Sequence, residues 1–349
     1  MSGEEYDKEY LKDYAGVICN KANHSLINYE IPIIETDEIL TNGTIISVLP
    51  TGIIYHLYRP ESKNNFLFAT NSCNSNCIMC PQPPSKEDIS SRIKELLDIL
   101  SLIKVPPISL GITGGEPLLL GDGLIEILAV LKEKFPDTAV HILTNGRLLA
   151  YRDLAKKIGG IGHQNLVMGI PLFSDNPEEH DYIVQAKGSF DQTLQGILNS
   201  ARFNIPIEIR TVLHKQTITR LMSLCSYIYK NLPFVVHVAL MGMEHMGYVK
   251  KNFQQLWIDP IDYKNELENA VKFLNYRRIN VSIYNLQLCV IPKSIWSMAV
   301  QSISDYKNIY LDVCNQCQLK EKCGGLFQST EKYHSRGISP ILIENAISS

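Results

Sequence analysis

The stretch Cys73-Asn-Ser-Asn-Cys77-Ile-Met-Cys80 follows closely on NFLFAT, a strand-like run at residues 65–70. Three thiolates on one short loop can hold three irons of a [4Fe–4S] cube and leave the fourth iron without a protein ligand. An open iron can bind a substrate, as the open position of a catalytic zinc does. The spacing alone is also compatible with a structural zinc site and with cysteines that lie close together by chance.

A second motif, Gly114-Gly-Glu-Pro117, ends the next strand-like run at residues 108–113. Two glycines let a ligand approach the backbone closely, and their carbonyl groups and the carboxylate of Glu116 can accept hydrogen bonds from an ammonium group. Alone, this motif would be an ordinary turn from a strand to a helix. Because it stands one strand–helix unit after the three cysteines, it favours an iron–sulfur site.

The alternation of strand, loop and helix continues through residues 65–279. It predicts a parallel sheet with helices outside it. Six units are too few for the eightfold barrel, so we predict an α/β fold, a partial (β/α)6 TIM-like barrel whose chemistry lies on the loops after the strands. The predicted strands are residues 65–70, 108–113, 139–144, 166–173, 207–213 and 234–240.

Two regions with other patterns flank this barrel. Residues 1–64 combine short apolar runs with turn signals, which predicts a small β-rich N-terminal region of about four strands. Residues 280–349 contain four cysteines and a Gly-Gly pair, and we predict a separate C-terminal region there.

The four cysteines of the C-terminal region would close a metal site completely, because four thiolates leave no open position. Their spacing alone leaves a structural zinc site and a second [4Fe–4S] cluster open. Cys225 shares a helical face with apolar residues and is expected in the core. The four are Cys289, Cys314, Cys317 and Cys323.

The composition of this 349-residue chain limits its surroundings and partners. Hydrophobic residues make up 45% and the net charge is −3, so we expect a packed core and no nucleic-acid partner. No apolar run approaches the roughly 18–20 residues that span a bilayer, and the acidic start MSGEEYDKEY is not a secretory signal. We therefore expect a cytoplasmic protein with no membrane partner, whose nine cysteines are reduced.

The two motifs on this barrel resemble those of the radical S-adenosylmethionine (SAM) enzymes. The resemblance implies that Cys73, Cys77 and Cys80 ligate a cluster whose open iron binds the amino and carboxylate groups of SAM. One electron from the cluster then cleaves SAM, and the 5′-deoxyadenosyl radical abstracts a hydrogen atom from the substrate. The residues to which the resemblance gives SAM-binding positions are Met79, Gly114, Gly115, Glu116, Thr144, Asn145, Ser174, Arg210 and Met241.

These positions differ in the role that the resemblance implies for them. Glu116 and the glycines before it would receive the methionyl ammonium, and Thr144-Asn145 would lie near the ribose or the substrate. Ser174 stands in a shifted version of the turn that many peptide-modifying members carry. Arg210 is charged among apolar neighbours, which fits either the SAM carboxylate or a structural ion pair. Met241 fits either an adenine wall or ordinary core packing.

The C-terminal cysteines resemble the auxiliary-cluster region of Twitch or SPASM enzymes, which often ends in CxxCxxxxxC. The resemblance implies a second [4Fe–4S] cluster that serves electron transfer, redox poise or structural support. The pattern identifies no catalytic acid or base.

Further stretches are similar to radical SAM maturases of His-Xaa-Ser-type peptide-modification systems. The resemblance implies a ribosomally made precursor peptide modified at side-chain carbons, a reductant such as flavodoxin or ferredoxin, and companion maturation proteins. The N-terminal region could then recognise a leader peptide by strand addition. The stretches are residues 58–65, 77–84, 241–247 and 302–308.

Two alternative functions stay open at this point. One is a radical SAM enzyme of a cofactor or nucleotide pathway that acts on a small molecule. The molybdopterin-precursor cyclases of that kind end in Gly-Gly, whereas this chain ends in Ala346-Ile-Ser-Ser349. The other is a non-catalytic iron–sulfur electron carrier or zinc-dependent binding module, in which the Gly-Gly-Glu-Pro motif and the barrel would have no purpose.

Overall fold

The structure is a computed structural model that describes residues 17–19, 33–35, 40–49, 51–301 and 308–342. The chain divides into two compact units. The first comprises Met1–Ser62 with Leu102–Val105, and the second comprises Lys63–Ser101 with Pro106–Ser349. Part of the predicted stretch 302–308 lies outside the described residues.

The described elements of the first unit are strands. β1 (Val17–Cys19) pairs in parallel with β2 (Ile33–Glu35). β3 (Ile45–Val48) pairs antiparallel with β4 (Ile54–Tyr58), with a register irregularity at the start of β3. The buried Tyr58 ends β4, and its hydroxyl donates to the carbonyl of Val105 at 2.8 Å, which ties the hairpin to the second segment of its own unit.

The second unit is built on a seven-stranded parallel sheet in which each strand lies beside its sequence neighbour. This arrangement confirms the α/β class and the partial barrel, with seven strands instead of six. The strands are β5 (Asn64–Phe68), β6 (Ser109–Thr113), β7 (Ala139–Leu143), β8 (Leu166–Pro171), β9 (Ile207–Leu213), β10 (His237–Gly242) and β11 (Val281–Tyr284).

The additional strand, β11, lies in the segment that the sequence analysis placed in the C-terminal region. Its alternation buries Val281 and Ile283, while Ser282 and Tyr284 lie half-buried on the other face. The register with β10 is regular from Val281 to Tyr284. A strand directly after a helix continues the strand–helix repeat, so the barrel extends past residue 279.

Helices of the second unit alternate with these strands. Two of them were missed by the sequence analysis, α4 and α8. The helices are α1 (Ile89–Leu102), α2 (Asp122–Lys134), α3 (Arg152–Ile161), α4 (Pro177–Val184), α5 (Ser189–Arg202), α6 (Lys215–Ile218), α7 (Leu221–Asn231), α8 (Tyr248–Leu256) and α9 (Lys264–Tyr276).

The N-terminus of α4 has all the usual start signals. The side chain of Asn176 accepts a hydrogen bond from the Glu179 N–H at 3.0 Å, Pro177 occupies the first turn, and Glu178 and Glu179 face the positive end of the helix dipole. The sequence Asn-Pro-Glu-Glu could therefore have revealed this helix.

The C-terminal segment consists of short turns around a small antiparallel pair, β12 (Asn308–Ile309) and β13 (Leu326–Phe327). Arg336 forms ion pairs with Asp259 at 3.0 Å and with Asp262, which join this segment to the chain before α9. Among the residues that the structure describes, no helix is both long and apolar enough to cross a membrane.

Candidate active site

The loop that carries Cys73, Cys77 and Cys80 is held in place by its backbone. The N–H of Ile78 donates to the carbonyl of Ile183 at 3.0 Å, at the end of α4. The N–H of Tyr248, the first residue of α8, donates to the carbonyl of Cys80 at 2.9 Å. The two helices that the sequence analysis missed thus position the cysteine loop.

The hydrogen bond from Tyr248 to Cys80 depends on Gly247, the residue just before α8, because Gly247 has no side chain that would separate the two segments. Its φ is +54°, and a Cβ there would lie 2.5 Å from the carbonyl oxygen of Pro81 and still closer to that of Cys80. Any side chain would therefore push α8 away from the loop. Gly247, the last residue of the stretch 241–247 selected from the sequence, has this structural role.

The two glycines of Gly114-Gly115 lie against the chain that leads to Cys73. Gly114 has a φ of +147°, and a Cβ there would lie 2.5 Å from the carbonyl oxygen of Thr70. A Cβ on Gly115 would clash with the carbonyl of Ser72. In the structure it is the chain itself that approaches these glycines closely, so they set the path into the cysteine loop. The approach of a ligand to them stays a prediction.

Glu116 is fully buried and joins the ends of β6 and β7. Its carboxylate accepts hydrogen bonds from the Thr144 hydroxyl at 2.5 Å, the Asn145 N–H at 2.7 Å and the Leu118 N–H at 2.9 Å. Burial raises the pKa of this carboxyl above its usual value although these three donors act in the opposite direction. Three of the four lone-pair positions of the carboxylate are thus occupied within the protein.

Asn145 carries the connection onward to the cysteine loop. Its side-chain amide donates to Oδ1 of Asn74 at 2.6 Å and lies 3.8 Å from Sγ of Cys73. Arg147, which the sequence analysis did not select, donates to the carbonyl of Asn74 and to the Ser75 hydroxyl at 3.0 Å. The motif at the end of β7 therefore orders the loop between the first two cysteines.

The three thiols of the loop suit a metal that supplies positive charge. Burial, reinforced by the neighbouring cysteines, raises the pKa of Cys77 to about 12, and burial raises the pKa of Cys73 to about 11 and that of Cys80 above its usual value. Such thiols form thiolates when a bound metal stabilises them. In the described part of the chain, no three or more His, Cys, Asp or Glu side chains are placed so that they could hold one metal ion. A [4Fe–4S] cube does not need such a group, because each thiolate binds a separate iron.

Met79 and Ser174 face the protein interior near this loop. Met79 is buried in an apolar cluster with Ile78 and Met243. Ser174 is buried and donates to Oε2 of Glu179 at 2.8 Å in the first turn of α4. Both residues thus have protein partners at the positions where the resemblance expected SAM.

Asp181 in α4 binds the segment Gly188-Ser189-Phe190 at the start of α5. The carboxylate of Asp181 accepts hydrogen bonds from the Ser189 hydroxyl at 2.7 Å and the Phe190 N–H at 2.8 Å. These hydrogen bonds join α4 to α5. They therefore fix the C-terminal end of α4, which contacts the cysteine loop.

Arg210 lies inside the open barrel, beside a buried carboxylate that the sequence analysis missed. Its guanidinium forms an ion pair with Glu208 and lies 3.0 Å from Sδ of Met241. His237 bonds the other oxygen of Glu208 at 2.7 Å, and its second ring nitrogen bonds the Ser282 hydroxyl at 2.9 Å. Glu208 stands two residues before Arg210, so the period of a strand could have placed both on one face.

The neighbouring His237 and Arg210 stabilise the negative charge of Glu208. Burial raises the pKa of its carboxyl, but the hydrogen bond from His237 and the charge of Arg210 outweigh burial and lower the pKa to about 2. Gly169 on β8 provides the space, because a Cβ there would lie 2.8 Å from both Cδ of Arg210 and Nε2 of His141. The barrel interior therefore holds an anionic carboxylate and a cation next to Met241.

The four C-terminal cysteines line one cavity of about 350 Å³, counting the open space at its mouth. Cys289 lies in a short turn after β11, and the other three lie in turns between β12 and β13. The Ile341 N–H donates to Sγ of Cys317 at 3.4 Å, and the Tyr310 hydroxyl donates to the carbonyl of Cys323 at 2.8 Å. Burial raises the pKa of the Cys289 and Cys323 thiols.

Cys225 is buried within α7, as expected for a core residue.

Comparison with known proteins gives the class. Residues 67–228 match the radical SAM superfamily. This stretch begins in β5, ends in α7 and includes the cysteine loop, Glu116 and Asn145. Residues 67–228 therefore form a radical SAM domain.

Two known proteins illustrate the range of the sequence similarity. The antilisterial bacteriocin subtilosin biosynthesis protein AlbA of Bacillus subtilis is 34% identical over 234 residues, which cover 64% of this chain and 47% of AlbA. A probable GTP 3′,8-cyclase of Methanocella arvoryzae is 36% identical over 131 residues, covering 37% of this chain and 40% of the cyclase. The matches span about half or less of these relatives' own length.

A solved structure agrees with the fold alone. Streptococcus suis SuiB superposes with a TM-score of 0.50 at 15% identity, covering 65% of this chain and 49% of SuiB. The shared architecture is consistent with the partial barrel described above.

Proposed function

We propose that this chain is a radical SAM maturase that modifies side-chain carbons of a ribosomally made precursor peptide. The observation that carries the proposal is the extent of the similarity to the subtilosin biosynthesis protein. It spans 234 residues, more than the 162 positions of residues 67–228, whereas the cyclase matches over 131 residues. A bacteriocin pathway favours a peptide as the substrate.

Cys73, Cys77 and Cys80 would hold a [4Fe–4S] cluster with SAM at its open iron. When bound, this cluster supplies the electron that cleaves SAM to the 5′-deoxyadenosyl radical. The protein's part is to keep the loop fixed through Glu116 and Asn145 and to close it against α4 and α8. The remaining proposed SAM positions are Met79, Gly114, Gly115, Thr144, Ser174, Arg210 and Met241.

The common cavity of Cys289, Cys314, Cys317 and Cys323 supports the proposal of a second [4Fe–4S] cluster. Four thiolates leave that cluster without an open iron, so its proposed roles are electron transfer, redox poise or support of the fold. A flavodoxin or ferredoxin would supply electrons in the cytoplasm, and companion maturation proteins would act on the same peptide.

A second candidate is a radical SAM enzyme acting on a small molecule such as a nucleotide. The 36% identity to the probable GTP 3′,8-cyclase favours it. The match of residues 67–228 to the radical SAM superfamily speaks against the non-catalytic alternative.

The experiment that tests the peptide proposal is co-expression with small open reading frames from the neighbourhood of the gene, followed by mass spectrometry of each peptide. A mass change is expected with the wild type and none with Cys77→Ala. If every peptide is unchanged, while purified protein releases 5′-deoxyadenosine and converts a nucleotide, the small-molecule function replaces the proposal.

A further inference from the structure

Arg147 stands just after the end of β7 and reaches into the cysteine loop. Its Nη1 group donates to the carbonyl of Asn74 and, at 3.0 Å, to the hydroxyl of Ser75. Asn74 and Ser75 both lie between Cys73 and Cys77. The guanidinium is therefore bonded directly to the segment that joins two of the proposed cluster ligands, and it brings a positive charge there.

The side chain of Arg147 is also held from its other end. Its Nε donates to Oε1 of Gln192 on α5 at 2.7 Å. The backbone before Arg147 packs on the same helix, because a Cβ on Gly196 of α5 would clash with the carbonyl oxygen of Gly146. A planar guanidinium that is bonded on two sides has a fixed orientation, so the position of its charge is fixed as well.

The charge of Arg147 acts on the acidic groups of the site. Burial raises the pKa of the Cys77 thiol and that of the Glu116 carboxyl, and the charge of Arg147 acts against burial at both groups. An arginine stays protonated at every pH at which proteins fold. Its contribution to the electrostatics of the site is therefore permanent.

A permanent positive charge has a predictable effect on an iron–sulfur cluster. Reduction adds one electron, which the proposed flavodoxin or ferredoxin supplies, so the reduced cluster carries one more negative charge than the oxidised one. A fixed cation beside the cluster stabilises the reduced form. Charge and hydrogen bonding around such clusters are among the factors that set their reduction potentials.

We propose that Arg147 is a positioning residue for the cluster of Cys73, Cys77 and Cys80. It fixes the segment between the first two cysteines, and its charge raises the reduction potential of the cluster. This inference rests on the proposed function, because these three cysteines must hold the cluster. The role needs no contact of Arg147 with SAM or with the substrate.

The test is a redox titration of the iron-reconstituted full-length protein, followed by electron paramagnetic resonance. The signal that is absent from Cys77→Ala identifies the cluster of the loop. Arg147→Gln removes the charge and keeps an amide donor. At a fixed potential it should lower the ratio of reduced to oxidised cluster by about tenfold, the effect of a unit charge at the effective dielectric constant of a protein. For one electron this is a fall of about 59 mV in the reduction potential.

Two further arginine variants separate charge from other effects of the substitution. Arg147→Lys keeps the charge and should keep a potential close to that of the wild type. Arg152→Gln is the control, because Arg152 is exposed in the first turn of α3, where its guanidinium lies over the ring of Phe203. Equal potentials in Arg147→Gln and the control, or an equal fall in Arg147→Lys and Arg147→Gln, would overturn the proposal.

A variant of Gln192 covers the case in which Arg147→Gln takes up no iron. Gln192 is exposed, so Gln192→Ala should fold, while it releases Nε of Arg147 and lets the guanidinium move away from the loop. The reconstituted variant should also show a lower potential. An unchanged potential in Gln192→Ala would then overturn the proposal.

Hydrogen–deuterium exchange of the metal-free protein tests the fixing of the loop without any cluster. The N–H groups of Asn76 and Ile78 donate to carbonyl groups at the end of α4. They should exchange about tenfold faster in Arg147→Gln than in the wild type, because the loop loses its bonds to the guanidinium. Equal exchange rates in the two proteins would contradict the positioning role.

These measurements distinguish the inference from the proposed function. If the cluster of the loop is present but its potential is the same in Arg147→Gln, the inference fails alone. If the potential falls as expected but no peptide is modified, the inference stands and the peptide function fails. If the wild type takes up no cluster at Cys73, Cys77 and Cys80, both fail.

Discussion

Glu116 links the two chemical motifs of the site through hydrogen bonds that a glutamine cannot reproduce. Its two oxygens accept bonds from three donors on the ends of β6 and β7. In Glu116→Gln one oxygen becomes an NH2 group that faces a donor. We expect the variant to lose about 1–3 kcal/mol of unfolding free energy, the usual cost of a buried unsatisfied polar group.

Urea unfolding of the metal-free protein, followed by circular dichroism, measures this loss. Glu126→Gln, at an exposed position of α2, is the control and should leave the stability unchanged. SAM affinity should fall in Glu116→Gln through the displaced Asn145. A variant as stable as the control would contradict the bonding role of Glu116.

Glu208 provides a prediction about pH. Its pKa is lowered to about 2 in the folded protein, below the usual value of 4.5, so its contribution to stability is present above pH 4.5 and is lost as the pH falls toward 2. The contribution is on the order of 3 kcal/mol at neutral pH. The stability difference between wild type and Glu208→Gln should therefore be largest at pH 7 and shrink on acidification.

Denaturant unfolding of the metal-free protein at pH 7, 5 and 3.5 checks this prediction. The exposed Glu133→Gln on α2 serves as the comparison variant. A difference that stays constant across these pH values would show that the ion pair with Arg210 does not hold the carboxylate charged.

Among single residues, the sequence identified the metal-binding cysteines more readily than it identified the hydrogen-bond partners of the other site residues. The cysteines are recognisable because their spacing is local. The partner of Glu116 is not, because Asn145 reaches it across the neighbouring parallel strands β6 and β7. Glu208 lies two residues before Arg210 on β9, so the period of the strand could have revealed it.

The helices and strands differ in how well the sequence predicted them. The strands of the barrel were found because continuous apolar runs between turn signals are easily recognised. α8 was missed because it follows Gly247 and contains a non-helical residue, Asn252, which breaks its periodicity. β11 lies in the segment that the sequence analysis assigned to the C-terminal region, because its place in the sheet depends on pairing with β10.

The two groups of cysteines belong to different elements, so their metal contents should be separable. Reconstituted wild type is expected to bind about eight irons, the content of two [4Fe–4S] clusters. Cys77→Ala should lose 5′-deoxyadenosine release while it keeps about four irons. Cys317→Ala should likewise keep about four irons, those of the first site.

Iron and sulfide analysis with SAM-cleavage assays checks both variants, and Cys225→Ala is the control for loss of a cysteine outside either group. A wild type with four irons and one zinc would contradict the second iron–sulfur cluster. Continued SAM cleavage in Cys77→Ala would contradict the first.

At the scale of the whole molecule, the question is what the N-terminal unit contributes. Deletion of residues 1–60 removes β1, β2, β3 and β4, but leaves the cysteine loop and Glu116, which lie in the second unit. SAM cleavage without substrate should therefore persist. Peptide modification should fall if this unit recognises the leader, because the substrate is then no longer positioned.

A structural cap is the competing role for the same unit, and Tyr58→Phe helps to distinguish them. This variant removes only the 2.8 Å hydrogen bond to Val105 and keeps every strand. It should lose no more than about 0.5–1.5 kcal/mol of stability and retain peptide modification. If the deletion abolishes both SAM cleavage and peptide modification, the unit acts as a cap. If the deleted protein stays soluble and modifies its peptide at the wild-type rate, as measured by mass spectrometry, leader recognition by this unit is wrong.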